Sequence, residues 1–165
     1  MKTHYKIVLL GTLLIALSGC NTESLNLPTG YILPPMPDAT ENSKTIAGID
    51  SNTNGVRDDV EIYIYSNYSK PEEQKALMQY AKMEQNALLA VKTKEDVSNI
   101  YYPEMSKAIE CGFNVFKTAT LVRDNTMQIN AQALNTLERV KQDLEIRRLM
   151  AGGVYENIQK GDPCE

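Results

Sequence analysis

Apolar side chains recur every three or four residues along most of the chain after residue 57, which is the spacing of helices that bury one face. Helices are predicted over about residues 58–67, 71–91 and 103–116, with a short one around 94–101. Residues 118–151 lack proline and glycine and form either one long helix or two, with a break near Asn125 or Asn135. The pattern therefore predicts an all-α fold, a small irregular bundle of about four or five helices.

The same periodicity predicts which side chains form the core. Three apolar stripes are expected, made of Ala76, Tyr80, Met83, Ala87 and Val91, of Met105, Ile109, Phe113 and Phe116, and of Ile129, Ala133, Leu137, Val140 and Leu144. Residues 69–72 have the pattern of a capping box that starts the second helix, and Thr93–Asp96 is a weaker signal of the same kind. Residues 62–65 alternate Ile and Tyr, so a short strand is an alternative there.

The first twenty residues have the pattern of a processed leader. Two lysines precede the apolar run Ile7–Leu17, which is far shorter than the roughly 20 residues of a membrane-spanning helix. The run ends in Leu17-Ser18-Gly19-Cys20, which resembles the lipobox of bacterial lipoproteins. The resemblance implies a signal peptide over residues 1–19 and acylation of Cys20, with the lipid bilayer as a partner. Asn21 stands in place of an Asp, and in Gram-negative lipoproteins this implies transport to the outer membrane.

Residues 20–45 are predicted to form a flexible spacer between the lipid and a helical domain over residues 46–165. The segment has little periodicity and carries four prolines, Pro28, Pro34, Pro35 and Pro37. A proline-rich ligand is the alternative, but these prolines lack a clean P-x-x-P repeat with basic neighbours.

The segment Asp50–Glu61 reads Asp-Ser-Asn-Thr-Asn-Gly-Val-Arg-Asp-Asp-Val-Glu and has the spacing of a twelve-residue calcium loop. Oxygen-bearing side chains stand at positions 1, 3, 5, 9 and 12, and Gly55 stands at position 6, where the backbone must turn sharply. The predicted ligands of a Ca²⁺ ion are the side chains of Asp50, Asn52, Asn54, Asp58 and Glu61 and the carbonyl of Val56. A turn ahead of a helix is the alternative, because Asp, Asn and Gly are also the usual turn residues.

The segment resembles the EF-hand loop but departs from that family at two places. Position 8, which in the family pairs with a partner loop, is Arg57, and residues 43–49 lack the periodicity of an incoming helix. Both departures predict a lone loop with a structural Ca²⁺ ion rather than a sensor. Extracellular loops of this kind have dissociation constants on the order of 10⁻⁴–10⁻³ M.

Charge and composition narrow the range of functions. Loss of a leader with two lysines would change the net charge from −4 to −6, which disfavours nucleic acid as a partner. The single histidine, His4, lies in the leader, so the mature chain would have no histidine-based catalysis and no histidine-ligated zinc. We therefore expect no enzyme activity, and hydrolysis by carboxylates alone is the remaining catalytic alternative.

Cys111 and Cys164 remain as an even pair once Cys20 is acylated, and in an oxidising compartment we expect them to form a disulfide. The bond would tie the C-terminal tail to a helix. A thiol–metal or redox role is the alternative, although two cysteines so far apart in sequence make no redox motif.

The lipobox, the Gly48–Glu61 segment, the helical body and the C-terminal Gly161-Asp162-Pro163-Cys164 resemble a group of uncharacterised proteobacterial lipoproteins with a single EF-hand-like loop. The resemblance implies an envelope protein and carries no activity with it. The sequence thus predicts a calcium-binding envelope lipoprotein that acts as a binding or scaffold module. The alternative is an inhibitor or immunity protein that docks on a secreted or periplasmic enzyme. Its anchors would be tyrosines that otherwise pack in the core, such as Tyr63, Tyr65, Tyr101 and Tyr102.

Overall fold

The computed structural model describes residues 25–155 and 161–164. Its helices, in chain order, are α1 (Ala39–Ser43), α2 (Asp58–Asn67), α3 (Pro71–Ala90), α4 (Lys94–Asp96), α5 (Tyr102–Phe116), α6 (Ala119–Ala133) and α7 (Leu137–Met150), with a π-helical turn, Val97–Tyr101, between α4 and α5. No strand occurs in the described residues, so the all-α prediction is confirmed and residues 62–65 are helical.

None of the described helices is long and apolar enough to cross a membrane. The predicted signal peptide, residues 1–19, and the predicted lipidation site, Cys20, lie outside the described residues.

Helix α3 is the centre of the bundle, because its sequence is apolar on more than one face. It packs against α2, α5, α6, α7 and the π-helical turn. The predicted stripe of α3 is confirmed, since all of its members are buried, and Leu77 and Leu88 are buried beside it. Burying one leucine side chain is worth roughly 1.5–3 kcal/mol, so α3 supplies much of the driving force for folding.

The two predicted capping boxes have different outcomes. At Thr93 the box is present, because the Thr93 hydroxyl accepts from the Asp96 amide at 3.1 Å and the Asp96 carboxylate accepts from the Thr93 amide at 2.8 Å. At residues 69–72 the prediction is wrong, because Lys70 occupies the N-cap and makes no side-chain capping bond. Pro71 still favours a helix start there, since its ring fixes φ near the helical value.

Pro103 does not separate two helices as predicted. From Lys94 to Phe116 the backbone coils without a gap, and the π-helical turn stands just before the proline. The amide of Tyr102 bonds to the carbonyl of Val97, five residues back. This wider turn accommodates a proline ring that would break the interior of a regular helix.

Residues 118–151 form two helices, and the break is near Asn135, one of the two predicted places. Helix α6 ends at Ala133. The Thr136 hydroxyl then accepts from the Arg139 amide at 3.3 Å and so caps the start of α7. A hydroxyl in this position accepts a hydrogen bond from one of the otherwise unpaired amides at a helix start, which explains why α7 begins here.

The apolar stripe predicted for this region is right in α6 and wrong in α7. In α6, Ile129 and Ala133 are buried. The break turns α7 away from the predicted register, so its predicted core side chains are exposed, with fractions of 66% for Leu137, 37% for Val140 and 59% for Leu144. The buried positions of α7 are Arg139, Asp143, Ile146 and Leu149.

The stripe predicted for α5 is also only partly right. Phe116 is buried and Met105 and Ile109 pack at the edge of the core, but Phe113 is 44% exposed. The buried face of α5 instead carries small residues, Ala108, Cys111 and Gly112. Small side chains let α5 approach α6 closely, and a Cβ added at Gly112 would lie 3.4 Å from Val122.

Part of the predicted spacer is ordered against the helical body. Asp38 accepts from the amides of Thr40 and Glu41 and caps α1, a short helix that the sequence pattern does not predict. Nearer the N-terminus, the Gln74 side chain of α3 donates to the Asn26 carbonyl at 2.9 Å. Among the described residues, contacts with the body therefore extend back to residue 26, well inside the segment expected to be a spacer.

A buried acidic group lies between α3 and α7. Glu84 is 3% exposed, and its carboxylate accepts from the Tyr80 hydroxyl at 3.0 Å. The pKa of Glu84 is raised to about 7, chiefly because burial disfavours the charged form. The nearby Asp143 carboxylate also raises this pKa, whereas the Tyr80 hydrogen bond and the Arg147 charge lower it.

We expect the Glu84 carboxyl to make folding less favourable as the pH rises from about 5 to 7. Below its ordinary pKa of 4.5 it is protonated in both the folded and the unfolded chain, so there is no penalty. Above that value the carboxyl ionises in the unfolded chain but stays protonated in the folded chain. The free energy of unfolding therefore falls, by on the order of 3 kcal/mol once the pH passes about 7. Urea denaturation of the wild type and of Glu84→Gln at several pH values measures this loss, which the substitution should remove.

Glu145→Gln is the matched control for that experiment, because Glu145 is an exposed carboxylate that pairs with Arg148 at 2.6 Å. This variant should keep the loss of stability between pH 5 and 7. An unchanged loss in Glu84→Gln would show that another group causes it.

Candidate metal centre

The loop Asp50–Glu61 folds its own backbone around its first predicted ligand. The Asp50 carboxylate accepts from the amides of Asn54 at 3.2 Å and Gly55 at 2.9 Å. Gly55 has a φ of +88°, so position 6 makes the expected sharp turn in the left-handed region that favours glycine. The first half of the loop is therefore shaped by the carboxylate that would begin a metal site.

Glu61, the last predicted ligand, is the point on which other ligands converge. It is fully buried in the first turn of α2. Its carboxylate accepts from the side-chain amides of Asn52 at 3.2 Å and Asn54 at 2.6 Å. Tyr31, from the segment before α1, donates its hydroxyl to the same carboxylate. Positions 3, 5 and 12 thus meet within hydrogen-bonding distance.

Asp58, at position 9, has a buried oxygen without a donor. The residue is 1% exposed, and its Oδ1 accepts from the Ser51 amide at 3.0 Å. Its Oδ2 is buried and receives no hydrogen bond. Leaving a buried polar atom unpaired costs roughly 1–3 kcal/mol, and more when the group is charged. A cation next to Asp58 would remove this cost.

The chemistry of the predicted ligands fits a hard cation that prefers oxygen. Carboxylate oxygens would come from Asp50, Asp58 and Glu61, and neutral oxygens from the two asparagines and the carbonyl of Val56. Among the described residues, no group of three or more His, Cys, Asp or Glu side chains is arranged to hold a metal. The three carboxylates of the loop therefore do not form a metal-binding cluster by themselves, and a calcium site would also need the neutral oxygens.

The two asparagines would have to rotate their amide groups to bind a metal. At present each turns its Nδ2 towards Glu61, while the oxygens accept from backbone amides, Asn52 Oδ1 from Asn54 and Asn54 Oδ1 from Val56. The side-chain N–H groups of Asn52 and Asn54 thus occupy the position beside the Glu61 carboxylate where a bound cation would lie.

Arg57 joins the loop to another helix. Its side chain has no exposed surface, pairs with Asp59 at 2.6 Å, and donates to the carbonyls of Gln132 at 2.7 Å and Ala133 at 3.1 Å. These carbonyls lie in the last turn of α6, where a helix leaves acceptors unpaired and favours a positive charge. Arg57 therefore fixes the loop against α6.

A second buried arginine, Arg139 of α7, fixes the chain just before the loop. Its guanidinium donates to the carbonyls of Asn42 at 2.5 Å, Thr45 at 3.0 Å and Ile46 at 3.1 Å. Burial, and then the positive charge of Arg57, lower the pKa of Arg139 to about 10. The side chain is therefore charged at neutral pH, and main-chain carbonyls provide its solvation.

Gly48 lies between these two arginines. Its φ is +65°, and a Cβ at this position would lie 2.2 Å from Cδ of Arg57 and 2.7 Å from Nη2 of Arg139. The Asn42 side chain, 2.6 Å from the same point, accepts from the Ile49 amide at 2.8 Å. Both the backbone conformation and the available space therefore require glycine here.

Three residues of this site are not predicted from the sequence, namely Tyr31, Asn42 and Arg139. Tyr31 lies 30 residues before Glu61, and Arg139 lies 93 residues after the Ile46 carbonyl that it binds. No local spacing can associate residues so far apart. The available signal was Gly48, since an isolated glycine indicates a close approach of the backbone to another group.

A cleft of about 640 Å³ opens beside the loop. Asp50 and Gly55 line it from the loop, Lys82 and Asn86 from α3, and Glu104 from α5. The cleft gives solvent access to the Asp50 end of the loop, whereas Asp58 and Glu61 face the interior.

Cys111 and Cys164 lie at disulfide-bonding distance, with their Cα atoms 4.9 Å apart. The Pro163 carbonyl next to Cys164 accepts from the Gln79 side chain of α3 at 2.8 Å. The expected tie between the C-terminal tail and α5 therefore has the geometry that it needs.

Comparison of the chain with protein-family models, with curated proteins and with solved structures finds no match. No family is therefore assigned, and the function has to be argued from the residues of the loop and its supports.

Gly48→Ala should lower the free energy of unfolding by at least about 2 kcal/mol, because it adds a clash with Arg57 to a strained backbone. Gly152→Ala is the matched control, since Gly152 also has a positive φ, +74°, but has no atom within 4 Å of an added Cβ. Urea denaturation of both variants compares the two. Equal losses would mean that the arginines do not restrict this position.

Proposed function

We propose that the protein is a calcium-binding lipoprotein of the bacterial cell envelope, in which a structural Ca²⁺ ion stabilises a helical binding or scaffold module. The ion would lie in the Asp50–Glu61 loop, held by the side chains of Asp50, Asn52, Asn54, Asp58 and Glu61 and by the carbonyl of Val56. Cys20 would carry the lipid, and the outer membrane is the expected location.

The unpaired Oδ2 atom of Asp58 is the observation that carries the calcium proposal. A simple turn would satisfy its buried carboxylates with backbone amides, as the loop does for Asp50 and for the other oxygen of Asp58. The remaining oxygen has no donor. A metal ion shared with Asp50 and Glu61 would pair this oxygen and reduce the repulsion among the three negative charges.

The supports of the loop favour a structural ion over a sensor. Sensor loops change the angle between two flanking helices when calcium binds. Here Arg57 holds the loop to α6, and Arg139 holds the preceding segment to α7. Residues 44–49, between α1 and the loop, form no helix that could move in this way. A loop fixed on both sides can gain stability from an ion without a large change of shape.

The structure gives the two alternative functions less support. Of the tyrosines suggested as interface anchors, Tyr65 and Tyr101 are buried in the core, so docking on an enzyme could use only Tyr63 and Tyr102, which are partly exposed. For hydrolysis by carboxylates alone, Glu84 and Asp143 are near each other, but both are buried, and a glycan could not reach them.

Thermal melts in 10 mM Ca²⁺ and in chelator test the proposal. With a dissociation constant of about 10⁻⁴ M, calcium would add roughly 2.7 kcal/mol, which corresponds to a rise in Tm of roughly 5–10 °C for a domain of this size. Asp58→Asn should lower the Tm in calcium and raise it in chelator, because it removes both a metal ligand and an uncompensated buried charge.

Asp124→Asn is the matched control, since Asp124 is exposed on α6 and pairs with Arg123 at 2.9 Å. Its response to calcium should equal that of the wild type. If calcium and chelator give the wild type the same Tm, the loop is a turn and the calcium proposal is wrong.

A further inference from the structure

We infer that Tyr31 is a positioning residue of the calcium site and that it couples the bound ion to docking of the N-terminal segment, residues 25–34, on the helical body. Because this role rests on the calcium site proposed above, its test must separate a failure of Tyr31 from a failure of the site. Tyr31 lies outside the twelve-residue loop, so loop spacing does not include it among the ligands or their supports.

A turn aims Tyr31 at the loop. The Tyr31 amide donates to the Pro28 carbonyl at 2.9 Å, and Gly30 between them has a φ of +77°. Glycine at the third position of the turn Pro28-Thr29-Gly30-Tyr31, with a positive φ, is typical of a type II turn. The conformation of the segment therefore follows from its own sequence, and it presents the tyrosine side chain towards Glu61.

The contacts of Tyr31 are of two kinds, which can be separated by mutation. Its hydroxyl donates to the Glu61 carboxylate, and the Asn54 amide approaches that hydroxyl at 3.4 Å. Its ring packs on Tyr65 of α2, with 5.1 Å between ring centroids. The ring contact would hold the segment even without a metal, whereas the hydroxyl contact acts on the ligand that closes the site.

The hydroxyl contact is compatible with metal binding, in contrast to the asparagine contacts. Each oxygen of Glu61 has two lone pairs, so one oxygen can bind the ion and still accept from Tyr31. The amides of Asn52 and Asn54 must instead turn away from Glu61 when their oxygens coordinate. In the calcium-bound loop, Tyr31 is then the remaining side-chain donor that fixes the orientation of Glu61, as outer hydrogen bonds do for ligating carboxylates.

Coupling of this kind acts in both directions. If docking of the Tyr31 segment strengthens calcium binding by a given factor, calcium strengthens docking of the segment by the same factor. The rest of the segment adds further contacts to the body, because Asn26 donates to the Ser69 carbonyl at 2.6 Å and accepts from Gln74 at 2.9 Å. Calcium would thus set how firmly the end of the chain that leads to Cys20 is held against the helices.

Tyr31→Phe tests the inference, because phenylalanine keeps the ring contact with Tyr65 and removes only the hydroxyl. Calorimetric titration should show calcium binding weakened about 10-fold relative to the wild type. Hydrogen exchange of the amides in residues 25–34 should slow on calcium addition in the wild type, and should respond much less in the variant.

Tyr155→Phe is the matched control. Tyr155 also stacks on another tyrosine, Tyr102, at 4.7 Å between centroids, and donates its hydroxyl to the Met150 carbonyl, away from the loop. Its calcium affinity should be that of the wild type. If the wild type binds no calcium, the site itself is absent and the inference fails with it. If the wild type binds calcium but Tyr31→Phe binds equally well or more tightly, the site stands and the role of Tyr31 is overturned.

Discussion

Two buried arginines that meet at Gly48 are the interaction on which the rest of this structure depends. Neither guanidinium has exposed surface, and both carry a charge that would be costly in an apolar interior. The cost is offset because main-chain carbonyls at the end of α6 and after α1 surround them and because Asp59 pairs with Arg57. In return, the arginines hold the loop in place from both sides. Two long polar side chains thus fix the loop to α6 and the segment before it to α7.

The parts of the fold that depend on local chemistry could be predicted from the sequence. The core stripe of α3, the capping box at Thr93 and the loop turn at Gly55 follow from side chains that act within one or two turns of the chain. The parts that depend on distant contacts could not. The register of α7 is determined by Arg139, which occupies a core position because carbonyls more than 90 residues away solvate it. A rule that places apolar residues inside and polar residues outside must fail at such a helix.

The candidate site shows the same division. Its ligands could be proposed from spacing alone, since the loop is continuous in sequence. The supports could not, because Tyr31 and Arg139 reach the loop from opposite ends of the chain. The carboxylates inside the loop accept hydrogen bonds from three kinds of neutral donor, which are the backbone amides around Asp50, the side-chain amides at Glu61 and the Tyr31 hydroxyl. Oδ2 of Asp58 is the position where such a donor is missing.

The hydrogen bonds of Arg139 also have a consequence for the order of folding. They join α7 to residues 42–46 across separations of 93 to 97 residues, and closing a loop of that length has an entropic cost. The segment that leads into the loop therefore has these contacts only when the last helix is docked. A nascent chain that ends before residue 139 would contain every oxygen of the candidate site. It would still lack the Arg139 hydrogen bonds that hold the backbone before the loop.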